Sequence, residues 1–261
     1  MTSAEYLTTP ALGAVTGLRH GFFTRRGGVS EGPWAALNCS LSGQDDPDRV
    51  RENRRRAAAA LGLPLDSLHG LTQVHGIAVA EVDASGWREG EGPRADALVT
   101  RRPGVALGVI TADCAPVQSA DPEAGVIGAA HAGWRGAVDG VLEATVAAMA
   151  GLGAAPGRIL AAVGPCIGQP SYEVGPDLRD AVLARDAADA RHFAPGARPD
   201  RWQFDLAGYC AARLRAAGLL SVETAGTDTL ANDQQFFSHR RRTLAGGGPI
   251  GHQLSAIAMP A

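Results

Sequence analysis

Four cysteines are few for 261 residues, and Cys39, Cys114, Cys166 and Cys210 include no CxxC pair. That spacing argues against a disulfide framework and against a structural Cys₄ zinc site, and it makes a reducing cytoplasm the expected location. No apolar run reaches bilayer-spanning length, and the N-terminus lacks the basic-then-apolar pattern of an export signal. A net charge of only −3 leaves no electrostatic footprint for nucleic acid or a membrane surface. No P-loop and no strand-to-helix G-x-G-x-x-G is present, which removes the main support for nucleoside triphosphate or dinucleotide binding. Histidine is sparse as well, with seven in all and no His-x-His pair, too few for the mononuclear and trinuclear sites of a blue multicopper oxidase.

What is present is enough apolar material for a sizeable core, 45% of residues, without an internal repeat or a low-complexity linker. One domain over residues 1–261 is expected. Arginine greatly exceeds lysine, a trait of genome composition more than of function. His20 to Arg25 reads as a strand that breaks at Arg26-Gly27-Gly28-Val29-Ser30, an ordinary glycine turn or a backbone nest for an anion. A helix starts at Asp46 as cap, with Pro47 in its first position, and stops at Gly62. Its arginines Arg49, Arg51, Arg54, Arg55 and Arg56 read as a solvated face, one of which could reach a phosphate. Leu68 to Gly76 and Ile77 to Val82 read as strands, which would put Gln73 and His75 on one side. Ala95 to Thr100 reads as another. Helices are expected after Gly136, over Pro176 to Ala190, and over Leu206 to Ala217 behind an Asp205 cap, with a loop over 191–203. Short strands are expected at Ile159 to Val163, Val222 to Thr224 and Ile250 to Met259. Consecutive strands mixed with about four helices argue for α+β with mixed sheets rather than a doubly wound parallel fold.

The chemistry concentrates between Val105 and Gly136. Val105 to Thr111 is a strand-like run that ends in Ala112-Asp113-Cys114. Ala124 to Ala130 is a second, ending in His131-Ala132-Gly133-Trp134-Arg135-Gly136, with a turn at Asp121-Pro122-Glu123. Singly, Cys114 reads as a buried small hydrophobe and His131 as a satisfied loop histidine. Together with His75, which precedes Cys114 by 39 residues as His131 follows it by 17, they form a set at strand ends. Two imidazoles and a thiolate suit Zn²⁺ and also copper, and three ligands leave a fourth position for water, as in a catalytic zinc site. A metal-free alternative makes Cys114 a thiolate nucleophile with His131 or His75 as its base. Residue types alone do not separate the two. Asp113 reads as a structural carboxylate.

The motifs HGFFTRRGGVS, DDPDRVRENR, QVHG, ADALVT, TADCAPV, HAGWRG, GPCIGQPSYEVG and FFSHRR, in this order along nearly the whole chain, are similar to those of the YfiH-like family, also called laccase-domain or multicopper polyphenol oxidase proteins and described as purine nucleoside phosphorylases. The resemblance implies a four-layer α/β/β/α domain and a zinc site built by His75, Cys114 and His131, which would also be the catalytic residues. It implies phosphorolysis of adenosine, inosine, guanosine and S-methyl-5′-thioadenosine, with adenosine deamination, so purine nucleosides and phosphate are the expected partners of a monomer or small homo-oligomer. Arg25 and Arg135 are candidates for phosphate, Asn38 and Gln73 for the base or ribose. The usual deaminase signature, H-x-E with P-C-x-x-C, is absent. Two departures stand out: Thr227-Asp228-Thr229 lacks the family's cysteine, and Gly246 to His252 lacks its Thr-Gly-Arg. Copper-dependent polyphenol oxidation, a metal-free hydrolase or deamidase, and a partner-binding or redox-sensing protein remain the competing readings.

Overall fold

A computed structural model of the chain describes residues 3–83 and 86–259. Two mixed sheets carry it. The first has five strands in the order Tyr6–Leu7, Arg19–Phe23, Gln253–Met259, Val105–Thr111 and Leu68–His69. The second has six, in the order Ser221–Thr224, Leu160–Val163, Ala115–Asp121, Val126–Ala132, Ala97–Thr100 and Val79–Glu81. Each sheet is antiparallel at its centre and gains parallel strands at its margins. A small three-stranded sheet joins Glu173–Val174, Trp202–Phe204 and Phe193–Pro195.

The period-two alternation of the central strands decides the layers. Leu107, Val109, Leu98, Ile127, Ala129, Ala162, Phe22 and Ile257 form the core between the two sheets. The opposite faces of the same strands carry Ala106, Leu254 and Ala256, packed with Ala57 of the Pro47–Ala60 helix and Leu61 just after it. Val117, Ala130 and Val163 pack with Leu142, Met149, Tyr209 and Leu214 of the helices Val141–Gly151 and Leu206–Ala216. The result is the expected α/β/β/α stack. Burial of each large side chain such as Leu107 stabilises it by about 1.5–3 kcal/mol.

Local chemistry explains most of the boundaries. Asp46 accepts the Asp48 amide at 2.9 Å and Pro47 opens the helix, while Asp205 accepts the Gly208 amide at 2.8 Å. The helix expected after Gly136 begins earlier, at Trp134, and is broken in two at Gly140, whose φ of 110° no helix interior allows. The helix from Pro176 ends at Arg185 and tightens into a 3₁₀ turn over Ala187–His192. The loop expected over 191–203 contains two of the strands of the small sheet.

Three expectations are corrected. Ala115–Asp121 is a central strand, hidden in the sequence by Pro116, Gln118 and Ser119. Gln118 is fully buried between the sheets, where its amide donates to the carbonyls of Gly21 and Ala256 and its oxygen meets His20 Nδ1. The second correction concerns 68–82, where only Leu68–His69 and Val79–Glu81 are strand. The Asp96 carboxylate takes three successive amides, those of Val74, His75 and Gly76, that a strand would give to a neighbour. Gln73 and His75 therefore do not share a strand face. Third, Arg54 is buried at 3% exposure and is not part of a solvated face.

Candidate active site and metal centre

Cys114 stands where the chain crosses from one sheet to the other. Val105–Thr111 belongs to the five-stranded sheet and Ala115–Asp121 to the six-stranded one, so 112–114 must turn between layers. Asp113 makes that turn with φ of 86°, in the left-handed region a non-glycine residue adopts only at a cost. Its buried carboxylate is held by Thr229 Oγ1 at 2.6 Å, Ser238 Oγ at 2.9 Å and the Arg240 amide at 2.6 Å. These bonds tie distant loops together, where neighbouring backbone amides were the expected partners.

His131 enters from the adjoining strand, in register with Pro116, and Ala132 faces Ala115. Gly133 then passes so close to the site that a Cβ there would lie 2.8 Å from His75 Cδ2 and 3.2 Å from Cys114 Sγ. A Cβ on Gly136 would lie 3.0 Å from the Gly76 carbonyl. These contacts are the physical content of the H-A-G-W-R-G motif. His75 arrives from the irregular segment with φ of 59°, its amide anchored 2.9 Å from Asp96 Oδ1.

The three donor atoms of His75, Cys114 and His131 lie within 4.8 Å of one another. Cys114 Sγ is 3.8 Å from His75 Nε2, and the two imidazoles meet edge to face with centroids 4.7 Å apart. Exposure is graded: His131 is buried, Cys114 half-buried and His75 exposed. Burial by itself would raise the Cys114 thiol, but the His131 and His75 imidazoles outweigh it and hold the thiol below its ordinary range. Burial likewise opposes charge on His131, and the Cys114 thiolate with the Asp96 carboxylate reverse the balance and raise it.

Asp96, which sequence reasoning did not single out, organises the group. It is fully buried, and its Oδ1 lies 2.8 Å from His131 Nδ1. Binding of Nδ1 leaves Nε2 of His131 for the centre, the arrangement typical of a metal-ligating histidine backed by a carboxylate. A signal was present: a carboxylate entering a strand of small apolar residues, Ala95-Asp96-Ala97-Leu98, must find a partner when buried. The donor set thus fits a metal ion. Among the described residues it is the one such cluster, so a multicopper arrangement has no second set of ligands here.

The cluster lines a cavity of about 630 Å³, a size ordinary for a small-molecule site. Trp134 and Tyr172 give it aromatic walls, and Arg54, Arg135, Arg240, His239 and His252 give it polar ones. Arg135 stacks on Trp134 with its guanidinium carbon 4.4 Å from the ring centroid. Gln73 lines the cavity while its amide is engaged with the backbone N–H and C=O of Ile110. Arg25 and Asn38 lie elsewhere. Arg25 Nε donates to the Ala35 carbonyl at 2.6 Å beside a separate, shallow depression. Asn38 is fully buried and occupied by Asp45, the Ser40 amide and the His252 amide. The Arg26 to Ser30 turn is likewise committed to structure, with Gly27 O taken by Arg56 and Val29 N by Asn53.

Residues 19–260 match the family model described as multi-copper polyphenol oxidoreductase laccase. A protein of Deinococcus radiodurans named purine nucleoside phosphorylase is 45% identical over 92% of this chain and 89% of its own length. The Escherichia coli protein named purine nucleoside phosphorylase YfiH is 38% identical over 85% of this chain and 88% of its own. Among solved structures, YlmD from Geobacillus stearothermophilus superposes with a TM-score of 0.86 at 30% identity, covering 100% of this chain and 98% of that one. The hypothetical protein YfiH of Bacillus licheniformis gives 0.86 at 29% identity, over 93% and 92% of the two chains. The shared fold and the matched length agree, and the chain belongs to the laccase-like, YfiH-containing family.

Proposed function

We propose that the protein is a zinc-dependent purine nucleoside phosphorylase, acting on adenosine, inosine, guanosine and S-methyl-5′-thioadenosine, and that it also deaminates adenosine. The carrying observation is the His75–Cys114–His131 cluster on the wall of a nucleoside-sized cavity. Relatives that this chain matches over most of its length bear the name purine nucleoside phosphorylase. His75, Cys114 and His131 would hold the ion, which supplies Lewis acidity and an activated water when bound. Zinc suits two imidazoles and one thiolate in a cell; the same donors also accept copper.

In phosphorolysis a phosphate oxygen bonds to ribose C1′ as the C1′–N9 bond breaks, and the purine leaves with a proton. The chain must therefore hold an anion, orient the sugar and base, and exclude bulk water. Trp134 and Tyr172, each with a guanidinium over its ring from Arg135 and Arg240, offer aromatic surface for a purine. Arg135 and Arg240 place positive charge along the same wall. Asp96 fixes the His131 ring, and the Asp113 bonds to Thr229, Ser238 and Arg240 fix the turn that leads into Cys114.

A second reading has its own support. Cys114, His131 and Asp96 stand in the order nucleophile, base and orienting carboxylate, with the thiol pulled down by its imidazoles. A metal-free hydrolase or deamidase would use that series. Purine release from adenosine and inosine, with and without phosphate, on zinc-loaded wild type and Cys114→Ala separates the two. Phosphate-dependent hypoxanthine from inosine, lost in the mutant, is the expected result. Turnover that survives stoichiometric metal removal would favour the cysteine nucleophile.

A further inference from the structure

Arg54 is the one arginine of the Pro47–Ala60 helix whose side chain is sealed, at 4% exposure, and it lines the same cavity as the metal-ligand cluster. Its guanidinium is oriented from behind. Nε donates to Glu89 Oε1 at 2.5 Å, and Nη1 donates to the Cys39 carbonyl at 3.2 Å. Nη2 makes no hydrogen bond among the described residues. It lies along Gly70, another lining residue, where even an added Cβ would be 3.7 Å away. A buried guanidinium ordinarily spends all its N–H groups. Here Nε and Nη1 are fixed, and Nη2 is left unspent beside Gly70 of the lining. Glu89 does not line the cavity, so the charge facing it is the cation's.

Ser40 and Ser42, just after Cys39, are lining residues whose hydroxyls lie 3.4 Å apart. The Cys39 amide donates to the His252 carbonyl at 2.9 Å, which ties the Arg54 wall to the C-terminal strand. On that wall two buried polar atoms have no hydrogen-bond partner among the described residues, His252 Nδ1 and Thr111 Oγ1. The other cavity arginines are less prepared. Arg135 is exposed and stacked on the Trp134 indole, and Arg240 Nη1 is spent on the Glu173 carbonyl.

We propose that Arg54 is the oxyanion anchor of this cavity and that the anion it binds is inorganic phosphate. The choice of phosphate rests on the phosphorylase reading; the anchor itself rests on the free guanidinium edge.

The test uses the full zinc-loaded chain. Calorimetric binding of inorganic phosphate without nucleoside is measured beside the phosphate and nucleoside KM values of purine release. Arg54→Gln is expected to raise the phosphate Kd and KM about tenfold or more, the worth of a charge-assisted hydrogen bond, with the nucleoside KM little changed. Glu89→Gln keeps the guanidinium and removes its competing carboxylate, so phosphate is expected to bind several-fold more tightly. A merely structural Arg54–Glu89 pair would weaken binding in both variants or in neither, and either result overturns the proposal. Should Arg54→Gln fail to fold, the sign of the Glu89→Gln change decides. Phosphate binding that shifts as expected in a protein that turns over no nucleoside leaves the anchor standing and removes the phosphorylase reading. Phosphorolysis with an unchanged phosphate KM in Arg54→Gln does the reverse.

Discussion

Asp96 Oδ1 lies 2.8 Å from His131 Nδ1, and the same oxygen accepts the His75 amide at 2.9 Å. One buried carboxylate therefore sets the ring of one metal-ligand candidate and the backbone of another. Burial alone would raise its pKa, but the His131 bond and the amides of Gly76 and Val74 outweigh it and hold the carboxylate below its ordinary range. Asp96→Asn should keep the fold and lower zinc affinity about 10–100-fold, the usual effect of losing such an outer partner. Competition against a chromogenic chelator measures it. Unchanged affinity would mean that Asp96 serves only the loop.

Metal removal should cost stability as well as activity. A ligand present at about 100 times its Kd stabilises the folded state by about 2.7 kcal/mol. Melting of the wild type should therefore rise on adding zinc, while Cys114→Ala and His75→Ala should show no zinc-dependent rise. A mutant that still gains the full increment would falsify the three-residue centre.

Gly133→Ala tests the tightness of the same centre. The new methyl would meet His75 Cδ2 at 2.8 Å and Cys114 Sγ at 3.2 Å, so the donors must spread. Zinc binding and purine release should both fall, by tenfold or more on the scale of an ångström-sized displacement, while the far-ultraviolet circular dichroism stays that of the wild type. Normal zinc affinity in this variant would show that the cluster relaxes freely.

Acid stability should depend on Asp121, far from the site. Its fully buried carboxylate accepts from Arg158 and from the amides of Ala155 and Ala124. Burial opposes the charge, but these donors prevail and the pKa is lowered. A carboxylate with a depressed folded pKa contributes stability that is present above its unfolded value and is lost as pH falls through the folded one. Asp121→Asn should cost roughly 2 kcal/mol at neutral pH and less below about pH 4. Equal destabilisation at both pH values in urea melts would contradict this.

Much of the site was legible because its parts are local. Cys114 and His131 stand at strand ends that alternation and turn residues mark, and the caps at Asp46 and Asp205 are read from residue type alone. The strand Ala115–Asp121 was not legible, since Gln118 looks polar until Gly21, Ala256 and His20 close around it. His75 was found as a residue but misplaced in conformation. Nothing adjacent to it signals that Asp96, 21 residues on, will take its amide and bend the segment out of a strand.

By itself the sequence determined the candidate donors, the starts of the helices, the mixed sheet-rich class and, through its motif order, the family. Tertiary structure decided which polar residues face the cavity. Arg25, Arg54 and Asn38 look equally available along the chain, yet Arg25 and Asn38 are consumed by carbonyls, amides and Asp45, while Arg54 keeps one edge open. The physical reason is that a buried polar group must be satisfied by whatever the fold brings near it. Those partners come from strands and loops distant in sequence, so whether a side chain is spent on the scaffold or left for a ligand is settled only when the two sheets close.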